Sequence, residues 1–413
     1  MVSLASWQFG AQKMNIIVKD SDLKQICQKI DANGRFAMDL EFIPERNFYP
    51  VLCLVQVATD AETFIIDPLK VGDLNELWQR VADPKIQTVL HAAVQDLQLI
   101  FRLSSLVPMN IFDTQVAAGF AGLGYPAGYG KLLQQLLGIT IAKSESFTDW
   151  MERPLSTSQI EYAREDVCHL LAMADKEVEI LKNQGRLDWA LEECTMYSQH
   201  DYYVRVEKEQ FTRVKGASSL NRRGLAILQH LCQFRDNEAE RIDRPSRSLI
   251  SDATLVELSR RPPADISDIQ RIRGVRPDQV RILGKRILEV VKAAQALPND
   301  QCPLWPAPRS TPKQDVLAGD VLYALVKVIA YQSDIATELL ATRDDVQYLV
   351  RLVRENKVGQ SDFPLLNGWR FEMAGVMLCD LIKHDTLKLH FDLDNDPPVK
   401  FEFEKNTKSK VLS

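Results

Sequence analysis

The chain lacks any run near the roughly 20 consecutive apolar residues that a membrane-spanning helix needs, so no membrane partner is expected. Its first residues, Met-Val-Ser-Leu-Ala-Ser-Trp-Gln, lack the basic start and long apolar core of a secretion signal. Paired cysteines are missing too. The seven cysteines, Cys27, Cys53, Cys168, Cys194, Cys232, Cys302 and Cys379, are scattered with no C-x-x-C among them. That argues against a disulfide frame or a zinc site, and for reduced thiols in the cytoplasm. Low-complexity tracts are absent, and so is any overall positive charge: the net charge is −6, which taken alone argues against nucleic-acid binding.

That average hides an asymmetry. Between Tyr202 and Leu297 stand 19 Lys and Arg against 12 Asp and Glu, a local +7 that leaves −13 for everything else. A basic middle between acidic flanks suits a polyanion-binding module joined to a carboxylate-rich catalytic one. With 413 residues, 46% apolar and 26% charged, the chain has the composition of a globular protein of two or three domains.

Hydrophobic periodicity divides it. Residues 1–205 alternate strands and helices. Strands are expected at 15–18, 36–42, 51–59, 63–66 and 85–90, the middle three as an antiparallel meander, with Asp20-Ser21-Asp22 capping the first helix. Residues 212–296 read as an all-helical bundle. Residues 297–315, with five prolines between Leu297 and Pro312, read as a stiff linker. Residues 316–395 are again helical, and 396–413 form a charged, loose tail.

The chemistry concentrates in the first unit. Phe36-Ala-Met-Asp39-Leu-Glu41-Phe42 puts two carboxylates two apart in an apolar strand, so both face one way while Met38, Leu40 and Phe42 face the other. Paired acids in a buried strand repel and lose solvation unless a cation lies between them. Asp96 follows the strand ending at His91, at the opening of a helix. Tyr162 and Asp166 lie four apart, on one face of a helix that Ser156 or Ser158 caps. Three aspartates and a glutamate from separate elements can hold two Mg2+ or Mn2+ ions about 3.5–4 Å apart, the arrangement that serves in-line phosphoryl displacement. A phenol one turn from a ligand Asp can align the attacking water.

Each residue has a plainer reading. Asp96 alone could be a helix cap, and Tyr162 a packing residue with a wet hydroxyl. Asp67 reads as a turn residue, Asp113 as a helix cap and Asp149 as a loop organiser. His91 and His169 read as partly buried, satisfied histidines. Arg222, Arg223, Arg260, Arg261, Arg271, Arg273 and Arg276 form either a solvated surface or a phosphate contact.

Together the motifs resemble the ribonuclease D family of DEDDy exonucleases. Asp39-Leu-Glu41 matches D-x-E, His91-Ala-Ala-Val-Gln-Asp96 the second motif, and Tyr162-Ala-Arg-Glu-Asp166 matches Y-x-x-x-D. The segment Lys143-Ser-Glu-Ser-Phe-Thr-Asp-Trp-Met-Glu-Arg-Pro-Leu155 resembles a further family stretch. Residues 225–296, with Ile272-Arg-Gly-Val, resemble an HRDC domain, and residues 316–390 a second, weaker one. The resemblance implies an RNase H-like α/β exonuclease domain with a mixed sheet, followed by two HRDC-type helical domains. It implies a 3′→5′ exoribonuclease releasing nucleoside 5′-monophosphates from RNA 3′ ends, with precursor-tRNA trailers and small structured RNAs as substrates and a monomeric chain. Asp39 would bridge two ions, Glu41 and Asp166 hold the one carrying the water, Asp96 the other, and Tyr162 the water itself. The rivals are a DNA-directed exonuclease with the same five residues and a non-catalytic RNA-binding scaffold.

Overall fold

β-branched and apolar runs in the first third of the chain form strands because their side chains pack well on a pleated surface. The computed structural model describes residues 15–43, 46–141, 148–208, 210–305, 312–360, 362–383 and 386–404. Its strands β1 (Asn15–Ile17), β2 (Arg35–Ile43), β3 (Val51–Ala58), β4 (Thr63–Ile66), β5 (Gln87–Leu90) and β6 (Ile111–Asp113) make one sheet in the order β1-β4-β3-β2-β5-β6. The expected meander is present: β2 pairs antiparallel with β3, and β3 with β4. The β1–β4, β2–β5 and β5–β6 pairs are parallel, so the sheet is mixed.

Helices α1 (Asp20–Asn33), α2 (Asn75–Val81), α3 (Val94–Ser104), α4 (Thr114–Phe120), α5 (Tyr129–Leu137), α6 (Thr157–Cys168), α7 (Leu170–Gln184), α8 (Leu187–Cys194) and α9 (His200–Lys208) complete this domain. One expected cap is different. Lys19 occupies the N-cap of α1 without a side-chain bond, and Asp20 instead accepts the Gly72 amide at 2.9 Å. A tertiary donor has taken the carboxylate that local spacing assigned to the helix.

The middle unit comprises α10 (Arg222–Arg241), α11 (Ser246–Leu249), α12 (Asp252–Arg260), α13 (Ile266–Arg271) and α14 (Pro277–Gln295). Its helices start on Asn221, Ser251 and Asp265 caps. It buries a core of its own around Leu228, Leu255, Ile269 and Leu283. Arg222 and Arg223 donate to the carbonyls of Ala294, Leu297, Asp300 and Cys302, so the start of the expected stiff linker is tied down and holds a 3-10 turn at Asn299–Gln301. Residues 306–311 of that linker lie outside the described residues.

The C-terminal unit contains α15 (Lys313–Gln332), α16 (Thr337–Leu340), α17 (Arg343–Arg354), α18 (Gly368–Arg370), a π turn over Phe371–Gly375 and α19 (Val376–Lys383). Two findings depart from the sequence reading. Its core residues Leu325, Leu340, Leu349, Trp369 and Leu378 belong to the same continuous cluster as Phe36, Val89 and Phe120 of the sheet domain. And the chain after it is not wholly loose: β7 (Thr386–Phe391) pairs antiparallel with β8 (Val399–Glu404), so part of the expected tail is a hairpin strand, while 405–413 lie outside the described residues. Alternation of Leu387, Leu389 and Phe391 with polar residues is a strand pattern, and helical context obscured it.

Candidate active site

Strand β2 sets the geometry. Met38 and Leu40 are buried in the main core, and Asp39 and Glu41 emerge on the opposite face, where α6 crosses the sheet. The register between β2 and β3 shifts at Glu41/Phe42, a bulge that ends regular pairing immediately after the second carboxylate. Bulges bend a strand and re-aim side chains, and they recur beside functional sites. Asp39 stands opposite Gln56 of β3, whose fully buried amide has no hydrogen-bond partner among the described residues.

Helix α6 supplies the next two groups. Ser156 caps it in a reciprocal box: its hydroxyl accepts the Gln159 amide at 3.2 Å, and the Gln159 side chain accepts the Ser156 amide at 2.9 Å. Gln159 also donates to Thr148 Oγ1 at 2.9 Å, fastening the helix start to the preceding loop. One turn apart, Tyr162 and Asp166 then face β2. Oxygens of Asp39, Glu41 and Asp166 all lie within 4.8 Å of one another.

Asp96 sits in the first turn of α3, 7% exposed and just outside that closest trio, and its charge is felt by both Asp39 and Glu41. Its place is fixed by Asp113. That buried carboxylate caps α4 through the Gln115 amide at 2.9 Å, as expected, and also accepts the amides of Ala92 and Ala93 at 3.0 Å and the Tyr197 hydroxyl at 3.0 Å. Ala92 is in the left-handed region at φ 57°, and these bonds hold the turn that delivers Asp96. The cap was readable from sequence; the second use, across 20 residues, was not.

Burial and mutual repulsion push these acids up. Burial and then the charges of Asp166 and Asp96 raise Glu41 to about 8. Asp166 rises to about 7 through burial, against the opposing Tyr162 contact, and Asp96 to about 7 through burial and Asp113. Asp39, among all three other acids, is pushed well above the carboxylate range by burial and then by Asp96. Among the described residues, no Lys or Arg is a cause of these shifts. Four hard oxygen donors that repel one another fit divalent cations such as Mg2+ or Mn2+, which remove the repulsion. The Tyr162 phenol is raised by burial and by the Asp166 and Glu41 charges, so it keeps its proton at neutral pH.

The flank of the site is braced by an ion pair that sequence reading missed. Arg153 bonds Asp67 at 2.8 and 2.9 Å and the Cys53 carbonyl at 2.9 Å. Burial alone would raise Asp67, but the guanidinium holds it below its ordinary value. Asp67 does make the expected turn, accepting the Leu69 amide at 3.1 Å. Asp149 organises its loop, accepting the Met151 amide at 3.0 Å and pairing with Arg46. Trp150 packs its ring 5.9 Å from that of Tyr162. Lys143 to Phe147, the start of the family-like stretch, lie outside the described residues. His91 bonds Thr114 Oγ1 at 2.9 Å, and burial holds its imidazole below the usual value, in keeping with a packed histidine.

Comparison with known proteins gives this geometry its context. Residues 14–182 match a family described as 3′-5′ exonuclease, and residues 224–291 match the HRDC domain. A protein named ribonuclease D from Gluconacetobacter diazotrophicus is 35% identical over 87% of this chain and 90% of its own. The ribonuclease D of Escherichia coli is 30% identical over 89% of this chain and 98% of its own. The crystal structure of Escherichia coli RNase D, described as an exoribonuclease involved in structured RNA processing, superposes with a TM-score of 0.79 at 29% identity, covering 90% of this chain and 99% of that one.

Proposed function

The chain belongs to the ribonuclease D family, and from that premise we propose that it is a 3′→5′ exoribonuclease acting through Asp39, Glu41, Asp96, Tyr162 and Asp166. The observation that carries the site assignment is the convergence of four carboxylates that repel one another, from β2, α3 and α6. Asp39, Glu41, Asp96 and Asp166 would hold two divalent cations, Mg2+ or Mn2+, which when bound supply an acidified water and neutralise charge at the departing 3′ oxygen. Tyr162 retains its proton and orients the attacking water. The Arg153 contacts to Asp67 and to the Cys53 carbonyl of β3 tie the segment before α6 to the sheet, and Gln159 ties the helix start to Thr148, the kind of fixed placement that catalysis by positioning requires. The substrate is RNA with a free 3′ end: structured RNA by analogy with the Escherichia coli protein, and precursor-tRNA trailers as one such class. The chain works in the cytoplasm, a reading supported by seven scattered, unpaired cysteines, and as a monomer.

The test is digestion of a 3′-extended tRNA and of matched RNA and DNA strands with Mg2+ or Mn2+. Asp39→Asn and Asp166→Asn are each expected to lower the rate at least about a thousandfold with an unchanged circular-dichroism spectrum, the scale at which removal of charge-stabilising groups acts. Wild-type rates in either variant would refute the ligand assignment. Preference for DNA would favour the DNA-directed rival, and absence of cleavage the scaffold.

A further inference from the structure

Strand β3 holds one polar residue among apolar ones. In Val51-Leu-Cys-Leu-Val-Gln56-Val-Ala58 every residue but Gln56 is apolar, and Gln56 is 0% exposed. Neither its Nε2 nor its Oε1 has a hydrogen-bond partner among the described residues. A buried amide left unpaired costs free energy, and nearly all buried polar groups in folded proteins find a partner. A β-branched apolar residue would suit a central strand at lower cost. Stability of the sheet therefore does not account for a glutamine at this position.

Its surroundings point to one partner. Strand register sets Gln56 between Asp39 of β2 and Ile65 of β4, and residues paired across adjacent strands present their side chains to the same face, about 4.5–5.5 Å apart at Cβ. Along β3 that face also carries Leu54 and Ala58, and α6 crosses over it; Leu54, Ile65 and Ala163 of α6 belong to one buried apolar cluster. Among these neighbours only Asp39 has a polar side chain. Thr88 of β5 provides the contrast. Its hydroxyl is also fully buried and unbonded among the described residues, but Thr88 pairs with Phe36, on the core face away from the carboxylates. An unbonded buried group is therefore not by itself a site, and what distinguishes Gln56 is its place beside Asp39.

We propose that Gln56 is the positioning residue of Asp39: its Nε2–H group donates to the Asp39 carboxylate when divalent cations keep that carboxylate ionised, and so fixes the direction of its oxygens. Carboxylates that ligate metals are oriented by such outer hydrogen bonds, and loss of the partner costs about 10–100-fold in metal affinity or activity. An ionised acceptor also makes the bond roughly twice as strong as a neutral one. A Lys or Arg at this position would compete with the cations for Asp39, whereas an amide orients the carboxylate and adds no charge. The same side chain is thus a liability in the metal-free protein and a contact in the loaded one. The proposal rests on the exoribonuclease reading of the carboxylate site.

The test uses the full chain. Gln56→Met keeps the length of the side chain and nearly its volume while removing the amide. In EDTA its melting temperature should rise by about 2–4 °C, because an unpaired buried group is gone. In calorimetric titrations the same variant should bind Mn2+ about 10–100-fold more weakly. Subsaturating Mn2+ should therefore raise its melting temperature less than it raises that of wild type. The Mn2+ concentration for half-maximal hydrolysis of a six-nucleotide RNA should increase by the same factor, with the KM for that RNA within about twofold. Thr88→Val, which removes the other unbonded group, should also raise the melting temperature in EDTA and leave Mn2+ affinity within about twofold. Unchanged Mn2+ affinity in Gln56→Met, a fall in its melting temperature in EDTA, or an equal loss of affinity in Thr88→Val would overturn the proposal. Wild-type protein that binds Mn2+ and cleaves no RNA would overturn the exoribonuclease reading instead, and the calorimetry would still decide the role of Gln56.

Discussion

The two helical units differ in how they are attached to the catalytic domain. The C-terminal unit is fused into it. Trp369 stacks on Trp189 at 5.5 Å and meets Phe120 edge-on at 5.0 Å, and Arg370 pairs with Glu193 at 2.7 Å. Ala336 donates to the Gly119 carbonyl at 3.0 Å, and Arg186 donates to the Phe120, Ser333 and Asp334 carbonyls. Gly122, at φ 80°, leaves room for the Asp334 carboxylate that any Cβ would strike. The middle unit keeps its own core and meets the catalytic domain through polar contacts: Asp243 accepts the Phe48 amide at 3.1 Å and the Asn47 side chain, and Glu240 accepts the Tyr49 hydroxyl. A unit that shares a core is a structural part of the enzyme, whereas one held by exposed hydrogen bonds can shift with a ligand. Resemblance to a common module does not imply a common mechanical role.

Core substitutions test this contrast most severely. Trp369→Ala should cost about 3–5 kcal/mol and lower the melting of the catalytic domain together with activity on short RNA. Leu255→Ala, in the separate core, should cost about 2–5 kcal/mol in its own transition and leave short-RNA hydrolysis near wild type. Differential scanning calorimetry with parallel activity assays would read both. If Trp369→Ala spares the catalytic transition, the fused-core description is wrong.

A second difference lies in pH. Burial and repulsion raise Glu41 to about 8 and Asp96 and Asp166 to about 7, against roughly 4 in an unfolded chain, and Asp39 is raised in the same direction. The folded metal-free state therefore binds protons more tightly, and the stability this confers is complete below about pH 4 and lost as pH rises through 7 to 8. In EDTA the catalytic transition should lose stability between pH 5 and 8. Mn2+ should stabilise it more at pH 8 than at pH 5, and the middle domain should show no Mn2+ dependence. A Mn2+ shift that is equal at both pH values would contradict the reading of the acids as a vacancy in charge.

The smallest effect concerns the polar latch. Asp243→Ala should cost about 1 kcal/mol or less, because its bonds are exposed. It should leave both melting transitions in place while widening the distance distribution between spin labels on the two domains. An unchanged distribution would mean that other contacts fix the middle domain.

Legibility in the sequence followed locality. Asp39 and Glu41 could be read as sharing a face because strand side chains alternate, and Tyr162 and Asp166 because helix positions four apart stack. A serine cap at Ser156 or Ser158 was visible for the same reason, and the structure uses Ser156 with Gln159. The Arg153–Asp67 brace was not: its partners are 86 residues apart, and Asp67 already had an adequate local role as a turn residue. Nor were the carbonyl contacts of Arg222 and Arg223, since a guanidinium bonded to a carbonyl and one facing water have the same letter.

Left to itself, the order of residues determined the β2–β3–β4 meander and the shared faces of Asp39 with Glu41 and of Tyr162 with Asp166, because backbone periodicity acts over a few residues. Only the folded structure decided which apolar faces merged into one core, that Asp113 would hold the turn before Asp96, and that Arg222 and Arg223 would bond backbone carbonyls. Those outcomes depend on partners far along the chain, and hydrophobic or charged side chains do not specify their partners until the fold brings them together.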